Sequence, residues 1–104
     1  MTNQLADRIR DALRVVMDPE LGHNIVDLGF VYDISIIDDV VRITMTATSP
    51  GCPATGFLKD GVVNSVSRVP GVGSVDVEMT FDPPWTPERI APVVRASLGF
   101  AAVN

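Results

Sequence analysis

The 104-residue chain has a single cysteine, Cys52, and a single histidine, His23. One cysteine excludes an internal disulfide, and a free thiol is typical of the reducing cytoplasm, where we expect the protein to reside. A mononuclear zinc site with His and Cys ligands from one chain is also excluded, because it takes several such side chains. His23 lies between a glycine and an asparagine, which favours a solvated turn residue over a catalytic base.

Long apolar runs and positive charge are also scarce. No run approaches the roughly 20 residues of a transmembrane helix, and the first residues lack the basic and apolar regions of a signal peptide. The 8 Lys and Arg face 13 Asp and Glu, a formal net charge of −5 that disfavours nucleic acid or an anionic membrane as partner. The length and the 46% hydrophobic content predict a single globular domain over residues 1–104.

Hydrophobic periodicity predicts elements in the order α-β-β-α-β-α. Helices are expected from Leu5 to Met17, over 54–68 and from Thr86 to about Leu98-Gly99, and strands over 30–37, 41–47 and 75–81. The first helix is expected to be capped by Thr2 or Asn3, and the first two strands to be joined by a two-residue turn at Asp38-Asp39. The buried stripe of the second helix is predicted to be Leu58, Val62, Val66 and Val69. Pro92 either kinks the last helix or delays its start. This order is typical of an α+β fold, a two-layer α/β sandwich in which a small mixed sheet carries helices on one face.

Cys52 is the most informative residue. Pro53 suits the first position of a helix, which puts Cys52 at or beside the N-cap of the predicted helix 54–68. The helix dipole there favours a thiolate and can lower a thiol pKa from about 8.5 to roughly 3.5–7.5. A small buried hydrophobe is the other interpretation. The Pro-Gly-Cys-Pro frame favours a functional thiol.

Three kinds of thiol chemistry are open to Cys52. Dithiol redox chemistry needs a second cysteine from elsewhere, and a cysteine hydrolase needs a base, for which His23 is the only histidine. One thiolate cannot hold an iron–sulfur cluster, which takes four ligands. Two Cys52 thiolates across a two-fold axis would supply two, with carboxylates, a small thiol or a client protein completing a labile, transferable site.

Acidic and hydroxyl side chains form the second feature. Asp18 and Glu20 flank Pro19; helix capping explains Asp18 well, whereas Glu20 is open between a structural and a functional role. Asp27 is expected to hydrogen-bond neighbouring loop backbone.

The threonines at positions 44, 46 and 48 alternate along one face of a strand that leads to Cys52. Such a face is ordinary for a strand, although Thr48 and Ser49 are close enough in sequence to donate to the sulfur. Trp85, after two prolines, is interpreted as a packing anchor.

Four ordered motifs resemble the SufT/PaaD-like metal–sulfur cluster assembly family, which is related to the eukaryotic cytosolic iron–sulfur targeting factors. They are Asp18-Pro19-Glu20, residues 24–32 (NIVDLGFVY), residues 46–53 (TATSPGCP) and residues 82–86 (DPPWT). The resemblance runs from about Ala12 to Gly99, and the order and spacing of the four motifs make it specific.

This resemblance implies an iron–sulfur cluster assembly domain-like fold and a role in delivering or maturing clusters on client proteins. By motif, the reactive cysteine of the family falls on Cys52, its acidic pair on Asp18 and Glu20, and its surrounding pocket on Thr46 and Ser49. The phenylacetate-linked members carry additional C-terminal cysteines. This chain has none, so it is similar to the minimal, stand-alone form.

Together these observations predict a cytoplasmic accessory factor that is not an enzyme. Its expected partners are the iron–sulfur assembly machinery and client apoproteins, and Cys52 would ligate iron or a cluster transiently. We also expect a homodimer, because so small a sheet is expected to leave an apolar face uncovered. Two alternatives stay open: a protein adaptor that binds no metal, and a thiol redox protein that passes through a mixed disulfide.

Overall fold

The computed structural model describes residues 4–48 and 55–97. The elements are α1 Gln4–Leu13, β1 Val31–Ile37, β2 Val40–Met45, α2 Thr55–Ser67, β3 Ser74–Met79, a 3-10 turn at Pro87–Arg89 and α3 Pro92–Ser97. Their order confirms the predicted α+β succession. The predicted cap of α1 at Thr2 or Asn3 and the predicted helix end at Leu98-Gly99 lie outside the described residues.

The three strands form one mixed sheet in the order β1-β2-β3. β1 and β2 pair antiparallel across the two-residue turn Asp38-Asp39, as predicted, and Asp38 adopts a positive φ of 56° there. β2 and β3 pair parallel, with Ile43 opposite Val77. β2 is therefore the central strand, and α2 belongs to the crossover between two parallel neighbours.

One face of the sheet holds the core. Val41, Ile43 and Met45 of β2 are fully buried in a single cluster with the apolar faces of α1 and α2. These helix residues are Ile9 and Leu13 of α1 and Leu58, Val62 and Val66 of α2. The helices therefore cover this face, as the sandwich prediction requires.

The opposite face of the sheet is largely polar. Arg42 of β2 donates from Nε to Asp76 Oδ2 at 3.2 Å, and both side chains are exposed. The apolar part of this face is an exposed pair beside the turn, Ile37 and Val40. The homodimer was expected because an uncovered apolar sheet face was predicted, and that prediction of an apolar face is wrong for the described strands. The homodimer itself stays a prediction.

Helix α1 ends four residues earlier than predicted. After Leu13 the bonds shorten to the i→i+3 type, with Val15 N–H donating to the Ala12 carbonyl at 3.2 Å and Val16 N–H to the Leu13 carbonyl at 3.1 Å. Met17 then forms an antiparallel bridge with Asn24. A residue in a bridge is extended, so the helix has to end before it.

The predicted last helix is two elements. The 3-10 turn forms first, and α3 then begins at Pro92, a position that proline favours because its missing N–H needs no partner there. The delayed start that Pro92 suggested is therefore confirmed, and a continuous helix from Thr86 is wrong. Thr86 does not cap the turn through its side chain; its hydroxyl donates to Glu88 Oε1 at 3.3 Å.

Two glycines within α2 differ in what surrounds them. A Cβ added at Gly56 would have no heavy atom within 4 Å, whereas one at Gly61 would lie 3.1 Å from Val16 Cγ1. We expect Gly56→Ala to raise the free energy of unfolding by about 0.5–1 kcal/mol, because alanine loses less backbone entropy on folding. Gly61→Ala should gain less, since the added methyl crowds Val16. Urea denaturation of both variants checks this, and equal gains would contradict it.

Candidate functional site

The acidic turn at Asp18–Gly22 is built around a buried carboxylate. Asp18 is 1% exposed, and its Oδ2 accepts the Leu21 N–H at 2.8 Å. Its carbonyl accepts the Gly22 N–H at 2.8 Å, and its own N–H donates to the His23 carbonyl at 2.9 Å. Gly22 closes the turn at φ +72°. The capping role predicted for Asp18 is thereby confirmed.

The environment of Asp18 raises the pKa of its carboxyl above the usual value for aspartate. Burial is the largest cause, because removal from water disfavours the charged form. The nearby charge of Glu20 acts in the same direction, whereas hydrogen bonds from the backbone N–H groups of Leu21 and Glu20 oppose it. Asp18 therefore costs the folded protein free energy when it ionises.

We expect Asp18→Asn to remove a pH dependence from stability. A raised carboxyl pKa means that the folded state binds the proton more tightly, so wild-type stability falls as pH rises from about 4 through the native pKa. Asparagine keeps an acceptor for the Leu21 N–H and has no charge. Urea denaturation between acidic and neutral pH should show that the free energy of unfolding of the variant increases relative to that of wild type as pH rises.

The matched control for that experiment is Asp60→Asn, which removes an exposed carboxylate from the middle of α2. It should leave the pH dependence of wild type in place, since it keeps the buried Asp18 carboxyl to which that dependence is assigned. If Asp18→Asn follows the same pH profile as wild type, the interpretation of Asp18 is refuted.

Glu20 presents its carboxylate at the surface, in contrast to Asp18. Its Oε1 accepts a hydrogen bond from Thr48 Oγ1 at 3.0 Å, although 28 positions separate the two residues. Thr48 follows the end of β2 and is the last described residue before Ser49 and Cys52, which lie outside the described residues. The acidic turn and the strand end that leads to Cys52 are thus joined by a direct contact.

The threonine that reaches the acidic turn is Thr48 and not Thr46. Thr46 is fully buried; its N–H donates to the Phe30 carbonyl at 2.8 Å and its hydroxyl to the Ala47 carbonyl at 3.3 Å. The predicted exposed alternation stops because β2 ends at Met45 and not at Ala47. The pocket position that the resemblance implies for Thr46 stays a prediction.

Asp27 has a different partner from the one predicted. Its N–H donates to Asn24 Oδ1 at 2.9 Å, and its Oδ2 accepts from Asn24 Nδ2 at 3.0 Å. The sequence predicted that the carboxylate would bond loop backbone. It bonds the side chain of Asn24 instead. This reciprocal pair holds the segment that follows the acidic turn.

Trp85 is a packing anchor, as predicted. Its Nε1–H donates to the Leu28 carbonyl at 2.7 Å, and its ring meets Phe30 edge-on with centroids 5.4 Å apart and planes at 79°. A backbone bond from Ala91 N–H to the Asp27 carbonyl, at 2.7 Å, adds to the same junction. The segment after β3 is thereby fixed to the loop before β1.

The contact between Glu20 and Thr48 had no signal in the sequence, because no periodicity links positions so far apart.

Over residues 4–48 and 55–97, no three His, Cys, Asp or Glu side chains are grouped so that they could hold a metal ion. In the same ranges, no helix is long and apolar enough to cross a membrane.

Known proteins share both this sequence and this fold. Residues 6–78 match the family described as iron–sulfur cluster assembly protein, a span that includes Glu20, Thr48 and Cys52. The chain is 39% identical over 100 residues to the Fe-S protein maturation auxiliary factor YitW of Bacillus subtilis, covering 95% of this chain and 98% of that protein.

Two further comparisons agree with the first. The Fe-S protein maturation auxiliary factor SufT of Staphylococcus aureus is 36% identical over 86 residues, covering 82% of this chain and 98% of that protein. The crystal structure of a domain of unknown function, DUF59, from Bacillus anthracis superposes with a TM-score of 0.87 at 37% identity, covering 92% of each chain. The resemblance drawn from the four motifs is thereby confirmed, and the chain belongs to the iron–sulfur cluster assembly protein family.

Proposed function

We propose that this protein is an accessory factor in iron–sulfur cluster assembly that carries iron or a cluster as cargo and hands it to client apoproteins. Cys52 is the proposed ligand of the cargo, and Glu20 the proposed carboxylate beside it. The names of the Bacillus subtilis and Staphylococcus aureus relatives, which are maturation auxiliary factors, support the accessory role.

The hydrogen bond between Thr48 and Glu20 is the observation that carries this proposal. It fixes an exposed carboxylate against the residue from which the chain runs on to Cys52. Four peptide units join Cys52 to Thr48, so the Cα atoms of these two residues can be at most about 14 Å apart. Three peptide units join Cys52 to Thr55, which limits that Cα–Cα distance to about 11 Å. A thiolate and a carboxylate are a donor pair that iron accepts, and on this chemistry we propose that Cys52 and Glu20 bind the same cargo.

Asp18 has the supporting role in this proposal. Its carboxylate is buried and faces the N–H of Leu21, so it sets the shape of the turn that presents Glu20. The carboxylate that meets the cargo is therefore Glu20 alone. Ser49, next to Thr48 in sequence, remains the proposed second hydroxyl of the pocket.

Delivery needs no bond-making in a metabolite, and on this basis we propose a carrier and not an enzyme. The Cys52 thiolate releases iron as a thiolate of the client binds it, a ligand exchange in which nothing is oxidised or reduced. Two Cys52 residues from a homodimer would supply half of the ligands of a cluster. A reducing cytoplasm, which keeps a lone thiol free, is the compartment we propose.

Native mass spectrometry of protein purified without oxygen, after supply of ferrous iron and sulfide, tests the proposal. Wild type should carry iron and sulfide on a dimer, and Cys52→Ala should carry background amounts. Glu20→Gln should bind the cargo at least about tenfold more weakly, because replacing even a group that only orients a metal ligand costs about 10–100-fold. Transfer to apo-ferredoxin, followed by its circular dichroism, should fall in parallel.

Glu88→Gln is the matched control, because Glu88 is also exposed and also accepts a hydroxyl hydrogen bond, from Thr86 at 3.3 Å. It should load and transfer as wild type does. Spectra free of iron and sulfide for wild type would refute the carrier and favour the adaptor alternative. A sulfenate on Cys52 at low peroxide, without any dependence on iron, would favour the redox alternative.

A further inference from the structure

A groove lies between the end of α1 and the outer side of α2. Its lining includes Val15, Met17 and Phe57, with Gly61 further along α2 and Arg68 directly after the helix ends at Ser67. The cavity volume of about 360 Å³ is at the small end of ligand pockets, enough for a few apolar side chains. Gly61 brings α2 close to Val16 on this side of the groove, since a Cβ added there would lie 3.1 Å from Val16 Cγ1.

The apolar side chains of the groove are unusually open to solvent. Phe57 is 62% exposed, Val15 72% and Met17 48%. None of them belongs to the stripe of α2 or α1 that packs in the core. Contiguous exposed apolar residues of this size are typical of a surface that binds a protein partner.

The charge of the groove is opposite to that of the protein as a whole. Arg68 is the one charged residue in its lining, in a chain of net charge −5. Within residues 4–48 and 55–97 the two ion pairs are Arg14–Asp11 and Arg42–Asp76, and neither uses Arg68. An apolar groove with a cation at one end complements a segment with apolar side chains and carboxylates.

From these observations we infer that the groove between α1 and α2 is a docking site for an apolar-acidic segment of a client protein. Phe57, Met17 and Val15 take its apolar side chains, and Arg68 pairs with its carboxylates. Within α2 the lining runs from Phe57 to Ser65, about 12 Å at 1.5 Å per residue, which matches two turns of a bound helix.

The groove adjoins the site described above. Met17 directly precedes Asp18, and Phe57 follows Cys52 by five positions on the first turn of α2. A client segment seated here would therefore bring the remainder of the client to the side of Glu20 and Thr48. The identification of the partner as a client protein rests on the proposed function, but docking of the segment in the groove needs no iron.

Binding of a fluorescein-labelled amphipathic helical peptide to metal-free Cys52→Ala protein tests the inference. The peptide carries leucines on one face and glutamates at one end, and a second peptide carries lysines in place of the glutamates. The acidic peptide should bind about tenfold more tightly, a difference of about 1.4 kcal/mol. Amide chemical shifts should move at Val15, Met17 and along α2. Because the thiol is absent throughout, failure of iron loading and failure of docking are separate results.

Charge reversal and truncation provide the controls. Arg68→Glu should invert the preference between the two peptides, whereas Arg8→Glu, an equal charge change on α1 outside the groove, should not. Phe57→Ser should weaken the binding of both peptides, whereas Val93→Ser, at another exposed apolar residue, should leave binding unchanged. Absence of binding, shifts elsewhere, or an unchanged preference in Arg68→Glu would overturn the inference. Sedimentation showing a dimer that Phe57→Ser abolishes would assign the groove to a second copy instead and overturn it as well.

Discussion

Gly29→Ala is expected to lower the free energy of unfolding by about 3 kcal/mol or more, enough to unfold much of a small domain. Gly29 adopts φ +77°, which costs a residue with a Cβ about 1–2 kcal/mol. The new Cβ would also lie 2.7 Å from Arg89 Cβ and closer still to the Arg89 carbonyl oxygen. Backbone cannot move aside as a side chain can, so overpacking adds about 1–3 kcal/mol.

Gly22→Ala separates the two contributions. Gly22 has the same backbone requirement, at φ +72°, but a Cβ there would meet nothing within 4 Å. Its cost should be the conformational part alone, about 1–2 kcal/mol. Urea or thermal denaturation of both variants measures the difference. If Gly29→Ala costs no more than Gly22→Ala, then the approach of Arg89 to Gly29 is not a constraint on the fold.

Phe30→Ala is expected to have an equally large effect, about 3–5 kcal/mol. Phe30 is fully buried, and its ring supports Trp85 through the edge-to-face contact at 5.4 Å. Truncation leaves a cavity and removes the support of Trp85, which is the only tryptophan of the chain. The near-ultraviolet circular dichroism of Trp85 should therefore collapse together with stability.

Phe57→Ala is the matched control, because it is the same substitution at a phenylalanine that is 62% exposed. It should change the free energy of unfolding by no more than about 0.5 kcal/mol, as surface substitutions usually do. Its effect should instead appear in the binding of the acidic peptide. A loss of more than 2 kcal/mol in Phe57→Ala would mean that Phe57 supports the fold and not the groove.

Local sequence signals predicted most of the fold. The stripe Leu58, Val62 and Val66 predicted the buried face of α2, and the pair Asp38-Asp39 predicted the turn of the hairpin, because both depend on residues close in sequence. The end of α1 was not predictable in this way. It is set by the bridge from Met17 to Asn24, a contact that periodicity does not encode.

The site was predictable in its parts but not in its assembly. Capping chemistry identified Asp18, since it follows from the spacing of one turn. Alternation placed Thr46 and Thr48 on the same face, but β2 ends at Met45, before both of them, and only Thr48 meets Glu20. The groove had a signal that was not used: Phe57 is a large apolar side chain off the buried stripe of α2.

The central position of β2 has a consequence for the folding of the chain. Val40 pairs with Ile37 across a two-residue turn, whereas its other partner, Ser74, follows α2 in the sequence. Because closing the larger loop costs more entropy, we expect the hairpin to form first and the parallel pairing to be the slower event. Until α2 brings β3 alongside, one edge of β2 has no partner. During that interval the nascent chain is most prone to aggregate, through the apolar strand that will become its core.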